Sequence, residues 1–164
     1  MQVTIRRATP DDAEAISAVW ETVCAERVYT AVNRGFTPQQ ERDYIASLSD
    51  REGIFLAEVD GRIAGFQSLD LWARYSDSFD HVGAMGTIIL PGWRRRGIGR
   101  RLAEHMLAFA RANGYEKIVI YVRRGNASAQ AFYHSLGFVS KGMLARQVKI
   151  DGQYEDEVFM ELFL

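Results

Sequence analysis

The sequence predicts a single α/β domain built on one mixed, mostly antiparallel sheet flanked by helices. Three observations carry this. The stretch GTIILPGWRRRGIGRRL, from Gly86 to Leu102, reads as a buried strand, a glycine-bearing turn and the start of an amphipathic helix. Strand-like and helix-like segments follow one another in the order β-α-α-β-β-β-α-β-α-β-β, the alternation of an α/β fold. Asp60-Gly61 and Asp151-Gly152 each stand between two strand-like runs, where a tight hairpin turn is expected. At 164 residues the chain suits one domain with a sizeable core, so residues 1–164 are read as one unit.

Each element has its own reason. Val3 to Arg7 alternates as a first strand. Thr9-Pro10 opens a helix, with Thr9 as N-cap and Pro10 at the first helical position, and Ile16, Val19, Trp20 and Val23 form its inward face. From Ala25 to Phe36 the periodicity breaks down, with a turn at Asn33-Arg34-Gly35. A second helix is expected from Pro38 to Leu48. Ile54 to Val59 and Arg62 to Trp72 are the arms of the first hairpin, Ala73 to Asp80 is loop-like, and Val82 to Leu90 is the central strand. After the basic turn, Ile98, Leu102, Met106, Phe109 and Ala110 share one helix face, and Asn113-Gly114 closes that helix. Lys117 to Val122 is a buried strand, Ala127 to Leu136 a short helix closed by Gly137. Phe138 to Ile150, irregular at Gly142, and Tyr154 to Phe163 form the last hairpin. The strand–helix–strand unit around Gly97 should be a parallel crossover.

The turn between central strand and helix has the chemistry of an anion site. The first amides of a helix lack intrahelical partners and carry the positive end of the helix dipole. Gly97 and Gly99 admit close approach of a ligand to the backbone. Arg94, Arg95, Arg96, Arg100 and Arg101 add fixed positive charge. A solvated basic helix start with two turn glycines is the plain alternative. A P-loop is excluded because no Gly-Lys-Ser/Thr occurs, and a dinucleotide fingerprint because Gly99 is followed by Arg100-Arg101-Leu102.

Composition narrows the partners. The net charge is −1, so no global field draws the chain to nucleic acid or to a membrane surface. One cysteine, Cys24, permits no internal disulfide and fits a reducing compartment as a packed thiol. The first fifteen residues hold no apolar segment of the secretory type, and no apolar run is long enough to span a bilayer, so a cytoplasmic location is expected.

Arg94-x-x-Gly97-x-Gly99, preceded by Ile89-Leu90-Pro91, resembles motif A of the GNAT superfamily of N-acetyltransferases, R/Q-x-x-G-x-G/A after a V-x-P strand end. Asn126-x-x-Ala129-x-x-x-Tyr133-x-x-x-Gly137-Phe138 is similar to the family's motif B. The order of elements resembles that fold from end to end, most closely from Val82 to Phe138. The tail Ile150-Asp151-Gly152-x-Tyr154-x-Asp156-x-x-x-Met160 is also similar to amine acetyltransferases of the family.

The resemblance implies a GNAT-like fold with a splayed parallel central pair. It also implies acetyl-coenzyme A as cosubstrate, with no metal, and transfer of the acetyl group to a primary amine by direct attack. Backbone amides from Arg95 to Arg100, including those of Ile98 and Gly99, would hold the pyrophosphate, and the side chains of Arg94, Arg95, Arg96 or Arg100 would reach a phosphate. Ile88, Ile89 and Leu90 would offer backbone to pantetheine, the Ile89 amide acting as oxyanion donor. Asn126 and Ala129 would stand at the cofactor, although Asn126 also suits an N-cap. Tyr133 would protonate the leaving thiolate, although it also suits an apolar helix face. Some relatives carry a glutamate on the central strand where this chain has Gly83-Ala84-Met85-Gly86-Thr87, so no base is assigned. Asp70, Asp80, His81 and Asp156 are the acidic or basic residues near the strand ends and tail.

The acceptor pocket is expected from 25–36, 69–80 and 141–154, with Trp72, Tyr75, Phe79 and Tyr154 as walls and Glu26, Asp70 and Asp156 as attractors of a cation. Small amines, amino acids, polyamines, antibiotic-like amines and protein N-termini, including those of ribosomal proteins, stay open as acceptors. A catalytically silent coenzyme A binding module and an arginine-cluster nucleic-acid binder are the competing classes. A homodimer through the last strands is the expected assembly.

Overall fold

A computed structural model describes residues 1–164. Seven strands and four α-helices follow in the expected order. They are β1 (Val3–Arg7), α1 (Ala13–Ala25), α2 (Pro38–Ser47), β2 (Gly53–Val59), β3 (Arg62–Leu71), β4 (Val82–Ile89), α3 (Ile98–Ala112), β5 (Lys117–Arg123), α4 (Ala127–Ser135), β6 (Val139–Ile150) and β7 (Gln153–Phe163). The strands form one sheet in the order β1-β2-β3-β4-β5-β7-β6. The reading of a single α/β domain on a mixed sheet therefore holds. One detail differs. Pro10–Asp12 is a separate 3-10 turn rather than the first turn of α1, because the Asp12 carboxylate folds back to accept from the Thr9 amide at 2.8 Å.

All neighbours are antiparallel except β4 and β5. That parallel pair is held by only three residue pairs, Val82 with Lys117, Gly83 with Ile118 and Ala84 with Val119. β4 goes on pairing with β3 up to Ile89, and β5 with β7 up to Arg123. The two halves of the sheet thus share one short seam and separate beyond Ala84, leaving the inner edges of β4 and β5 facing a gap.

Side-chain alternation gives each face its own core. On one face, Leu69, Met85, Ile118, Ile120 and Met160 pack under Ile98, Leu102 and Met106 of α3. On the other, Ile54, Leu56, Phe66 and Ile88 pack under Ile16, Val19 and Val23 of α1 and Ile45 of α2. Cys24 is buried on α1, and burial pushes its thiol pKa up, as a packed and unreactive thiol requires.

Candidate active site

The gap between β4 and β5 opens into a cleft of about 1000 Å³. Hydrogen bonding decides which backbone groups face it. The Leu90 amide donates to the Ala64 carbonyl of β3 at 2.9 Å. By strand alternation the Ile88 amide also turns to β3, while the amides of Thr87 and Ile89 turn to the gap. Of the three residues expected to offer backbone to an extended ligand, only Ile89 has its amide turned to the gap. Leu90 is excluded by its bond to Ala64, and Ile88 contributes its side chain to the core and the cleft wall. The second amide turned to the gap is that of Thr87, which was not among the expected three.

The turn after β4 is strongly curved. Arg95 has φ 60° and Gly97 φ 79°, both left-handed. Nothing lies within 4 Å of a Cβ built on Gly97. The first helical bond of α3 runs from the Arg101 amide to the Gly97 carbonyl at 3.2 Å. The amides of Ile98, Gly99 and Arg100 are thus left without backbone partners at the positive end of a 15-residue helix. This is a ready anion cradle. Ile98 gives only its amide, since its side chain is buried in the core. Gly99 has a second reason. A Cβ there would meet the Phe132 ring at 3.3 Å, so this glycine also lets α4 pack on α3.

The arginines divide. Arg94 is not free for a phosphate. Its guanidinium forks onto Glu26 at 2.8 and 2.6 Å, its Nε donates to the Ile89 carbonyl at 2.9 Å, and it lies 4.1 Å over the Tyr29 ring. The carboxylate raises its pKa. Arg95 and Arg100 line the cleft. Arg96 lies over Trp93 at 5.3 Å, outside the cleft lining.

α4 supplies the other wall. Asn126 caps it, accepting from the Ala129 amide at 3.1 Å, and its Nδ2 donates to the Tyr29 carbonyl at 3.3 Å. Its polar atoms are thus used in holding α4 and the loop after α1, and Ala129 lines the cleft without a free amide. The Tyr133 side chain is buried, and its hydroxyl donates to Thr87 Oγ1 at 2.9 Å, at the mouth of the gap. Burial raises its pKa to about 12, with the Thr87 bond opposing. Gln67 Nε2 donates to the same oxygen at 2.8 Å.

Residues 19–138 match the model of the acetyltransferase (GNAT) family. This chain belongs to the GNAT family. It is similar to phosphinothricin N-acetyltransferase of Streptomyces viridochromogenes, 24% identical over 97% of this chain and 86% of the relative. It is also similar to L-methionine sulfoximine/L-methionine sulfone acetyltransferase of Salmonella typhimurium, 26% identical over 68% of this chain and 64% of the relative. Among solved structures, yncA of Salmonella typhimurium with its cofactor acetyl-CoA superposes with a TM-score of 0.91 at 23% identity, covering 100% of this chain and 95% of that one. The chain is an acetyl-CoA dependent acyltransferase. Gap, cradle and cavity have the reach and polarity for this cosubstrate. No group of three or more His, Cys, Asp or Glu side chains stands together as a metal site.

On the opposite face, the GNAT cleft takes one of the three segments expected for the acceptor pocket, 25–36, and neither 69–80 nor 141–154. Trp20, Val23, Tyr29, Thr30, Ala31, Phe66 and Ser68 line it from α1, the following loop and β3. Trp72 stacks on Tyr121 at 5.7 Å, and Tyr121 on Phe159 at 5.6 Å, an aromatic ladder across the sheet. Tyr75 and Phe79 pack on each other outside the cleft, and Tyr154 lies under Arg146 and Lys149. The expected cation attractors are engaged elsewhere. Glu26 holds Arg94, the Asp156 carboxylate accepts from the Arg146 amide at 2.8 Å, and Asp70 accepts from the Tyr44 hydroxyl. Glu157, absent from the expected set, lines the cleft. No single-sequence signal marks it, because its distinction is the lack of a partner in the folded chain.

Proposed function

We propose that this GNAT enzyme acetylates the primary amine of a small molecule by direct attack on the thioester. The observation that carries this is the placement of the Tyr133 hydroxyl and the Ile89 amide at one gap. A cavity with aromatic walls opens from the other face of the sheet.

The division of labour follows from that placement. The cradle of the Ile98, Gly99 and Arg100 amides, with Arg95 and Arg100, holds the phosphates remote from the chemistry. The Ile89 amide, unused by the sheet, meets the oxygen on which negative charge develops. The Tyr133 phenol remains protonated at neutral pH and donates to the departing sulfur. Arg123 Nη1 donates to the carbonyls of Arg27 and Thr30, so the loop after α1 lies over this face. A roofed cavity suits a small amine better than the terminus of a folded protein. The named relatives that act on phosphinothricin and on methionine sulfone support the same class.

An acceptor screen with thiol release as readout tests the proposal. The panel holds phosphinothricin, methionine sulfone, spermidine and an alanine-terminated peptide. Turnover of at least one small amine well above the peptide is expected. Preference for the peptide, or acetyl-CoA binding with no turnover of any amine, overturns it.

A further inference from the structure

We infer that Glu157 is the group that takes the proton from the acceptor amine; this rests on the small-amine reading above. Its burial, its place in the cleft and its lack of a partner converge. Glu157 is only 8% exposed, and its side chain lines the cleft. Its carboxylate makes no hydrogen bond and no ion pair, although nine ion pairs involve other acidic groups. Desolvation of a lone carboxylate is costly, so a buried one without a partner is held for a ligand or a proton.

The register gives its height. Ala84 pairs with Val119, so three residues further Thr87 stands level with Val122. Glu157 pairs with Arg123, the next residue of β5. It therefore faces the cleft near the level of Thr87 and Ile89. Strand alternation gives its side. Val158 and Met160 turn to the α3 face, which also carries Tyr133, so Glu157 turns to the opposite face, from which the amine enters. Proton acceptor and proton donor then flank the gap from its two sides.

Its surroundings keep it free. Arg123, directly opposite, is committed to Glu155 at 2.5 Å and to the carbonyls of Arg27 and Thr30. Burial disfavours its charge most, Arg123 favours it, Glu155, two residues before it on the same face, disfavours it again, and the net effect raises its pKa. Tyr121 stands beside it on β5, and Leu144 of β6 faces it with an apolar side chain. From the loop and the turn, Tyr29 and the Glu26-bound Arg94 face the same cleft. The other buried carboxylates do not serve. Glu52 is paired with Arg74, and both it and Glu41 lie outside the cleft lining, as does the half-buried Asp70, held by Tyr44.

The step balances. A lysine-like ammonium has a reference pKa of ~10.4, so freeing its electron pair at pH 7 costs ~4.6 kcal/mol. One N–H bond breaks, the pair stays on nitrogen and the proton goes to Glu157. The nitrogen pair forms a C–N bond to the thioester carbonyl carbon, the C–S bond breaks, and the sulfur takes the Tyr133 proton. The nitrogen loses its second proton, which restores Tyr133, and Glu157 releases the first to solvent.

Glu157→Gln keeps the shape and removes the base. With methionine sulfone at pH 7, a kcat/KM loss on the order of 10²-fold is expected, shrinking as pH rises and free amine accumulates. With 2,2,2-trifluoroethylamine, already largely neutral at pH 7, the loss should be small. Acetyl-CoA affinity by calorimetry should not change. Equal loss for both amines, a change confined to acceptor KM, or wild-type activity in the variant overturns the assignment. A wild type inactive with every amine sinks the small-amine reading instead. The carboxyl can still be tested there by ¹³C NMR. A glutamate titrating above the ordinary range and absent from E157Q supports the assignment, and one titrating at the ordinary value overturns it.

Discussion

Tyr133 shows how much one side chain can carry. Its ring packs edge-on to Phe138 with centroids 5.4 Å apart, and its hydroxyl reaches Thr87. Tyr133→Phe keeps the packing and removes the proton donor. The fold should survive with a loss of about 1 kcal/mol for the missing hydrogen bond. A kcat drop on the order of 10²-fold is expected, while acetyl-CoA still raises the Tm of the variant. Turnover near the wild-type rate would return Tyr133 to the core. The placement of this residue was legible in the sequence because motif spacing fixes its helix and face. Glu26 and Glu157 were not. Glu26 meets Arg94 across 68 residues of chain, and such a pairing leaves no local trace. An alternating strand such as Glu155-Asp156-Glu157 tells which carboxylates share a face but not which one the fold leaves unpaired.

At the scale of elements, β4 is the one the others serve. Its strand character and its stop at Pro91-Gly92 were readable from β-branched content and turn chemistry. The identity of the amides that face the gap was not, because alternation fixes the pattern only once one hydrogen bond is known. That phase is set from β3. A Cβ on Gly65 would collide with the Ile88 carbonyl oxygen and lie 2.9 Å from the Ile89 Cα. Gly65→Ala must therefore push β4 at the residues whose backbone borders the gap. Overpacking of this kind costs about 1–3 kcal/mol. Because the displaced segment includes the Ile89 amide, kcat/KM should fall more than the fraction of folded protein does. Denaturant unfolding and steady-state kinetics on the same sample separate the two. A variant with unchanged stability and rate would mean that β4 accommodates the methyl group elsewhere. Helix ends capped by Thr37 with Gln40, by Asn126 and by Gly114 fell close to their expected positions, since caps are local chemistry. The covering loop after α1 was not foreseen in detail, because its order comes from Arg94, Arg123 and Asn126, all remote in sequence.

Over the whole molecule, the two cores on the two faces of the sheet respond differently to pH. The α3 face packs aliphatic and aromatic residues, with the phenols of Tyr115 and Tyr133 pushed up to about 12 by burial, but the α1–α2 face holds Glu41, buried on α2 with Oε2 unpartnered. Desolvation raises its pKa from 4.5 to about 7, with the Trp20 indole opposing. For a carboxyl whose pKa is higher folded than unfolded, the folded state binds the extra proton. Its contribution to stability is complete below about pH 4.5 and is lost progressively as pH rises through about 7. The chemistry runs the other way, since a higher pH frees the acceptor amine. The enzyme therefore gains nucleophile over the range in which this buried carboxyl weakens its fold. Glu41→Gln removes the titration and keeps the shape. Its Tm should match wild type near pH 5 and exceed it at pH 8 by roughly 3 °C or more, as a regained kcal/mol is worth about 2–4 °C in a domain of this size. Equal Tm differences at both pH values would mean that Glu41 stays ionised or reaches solvent. Because Glu41 lies outside the cleft, kcat at pH 8 and a temperature below both melting points should not change.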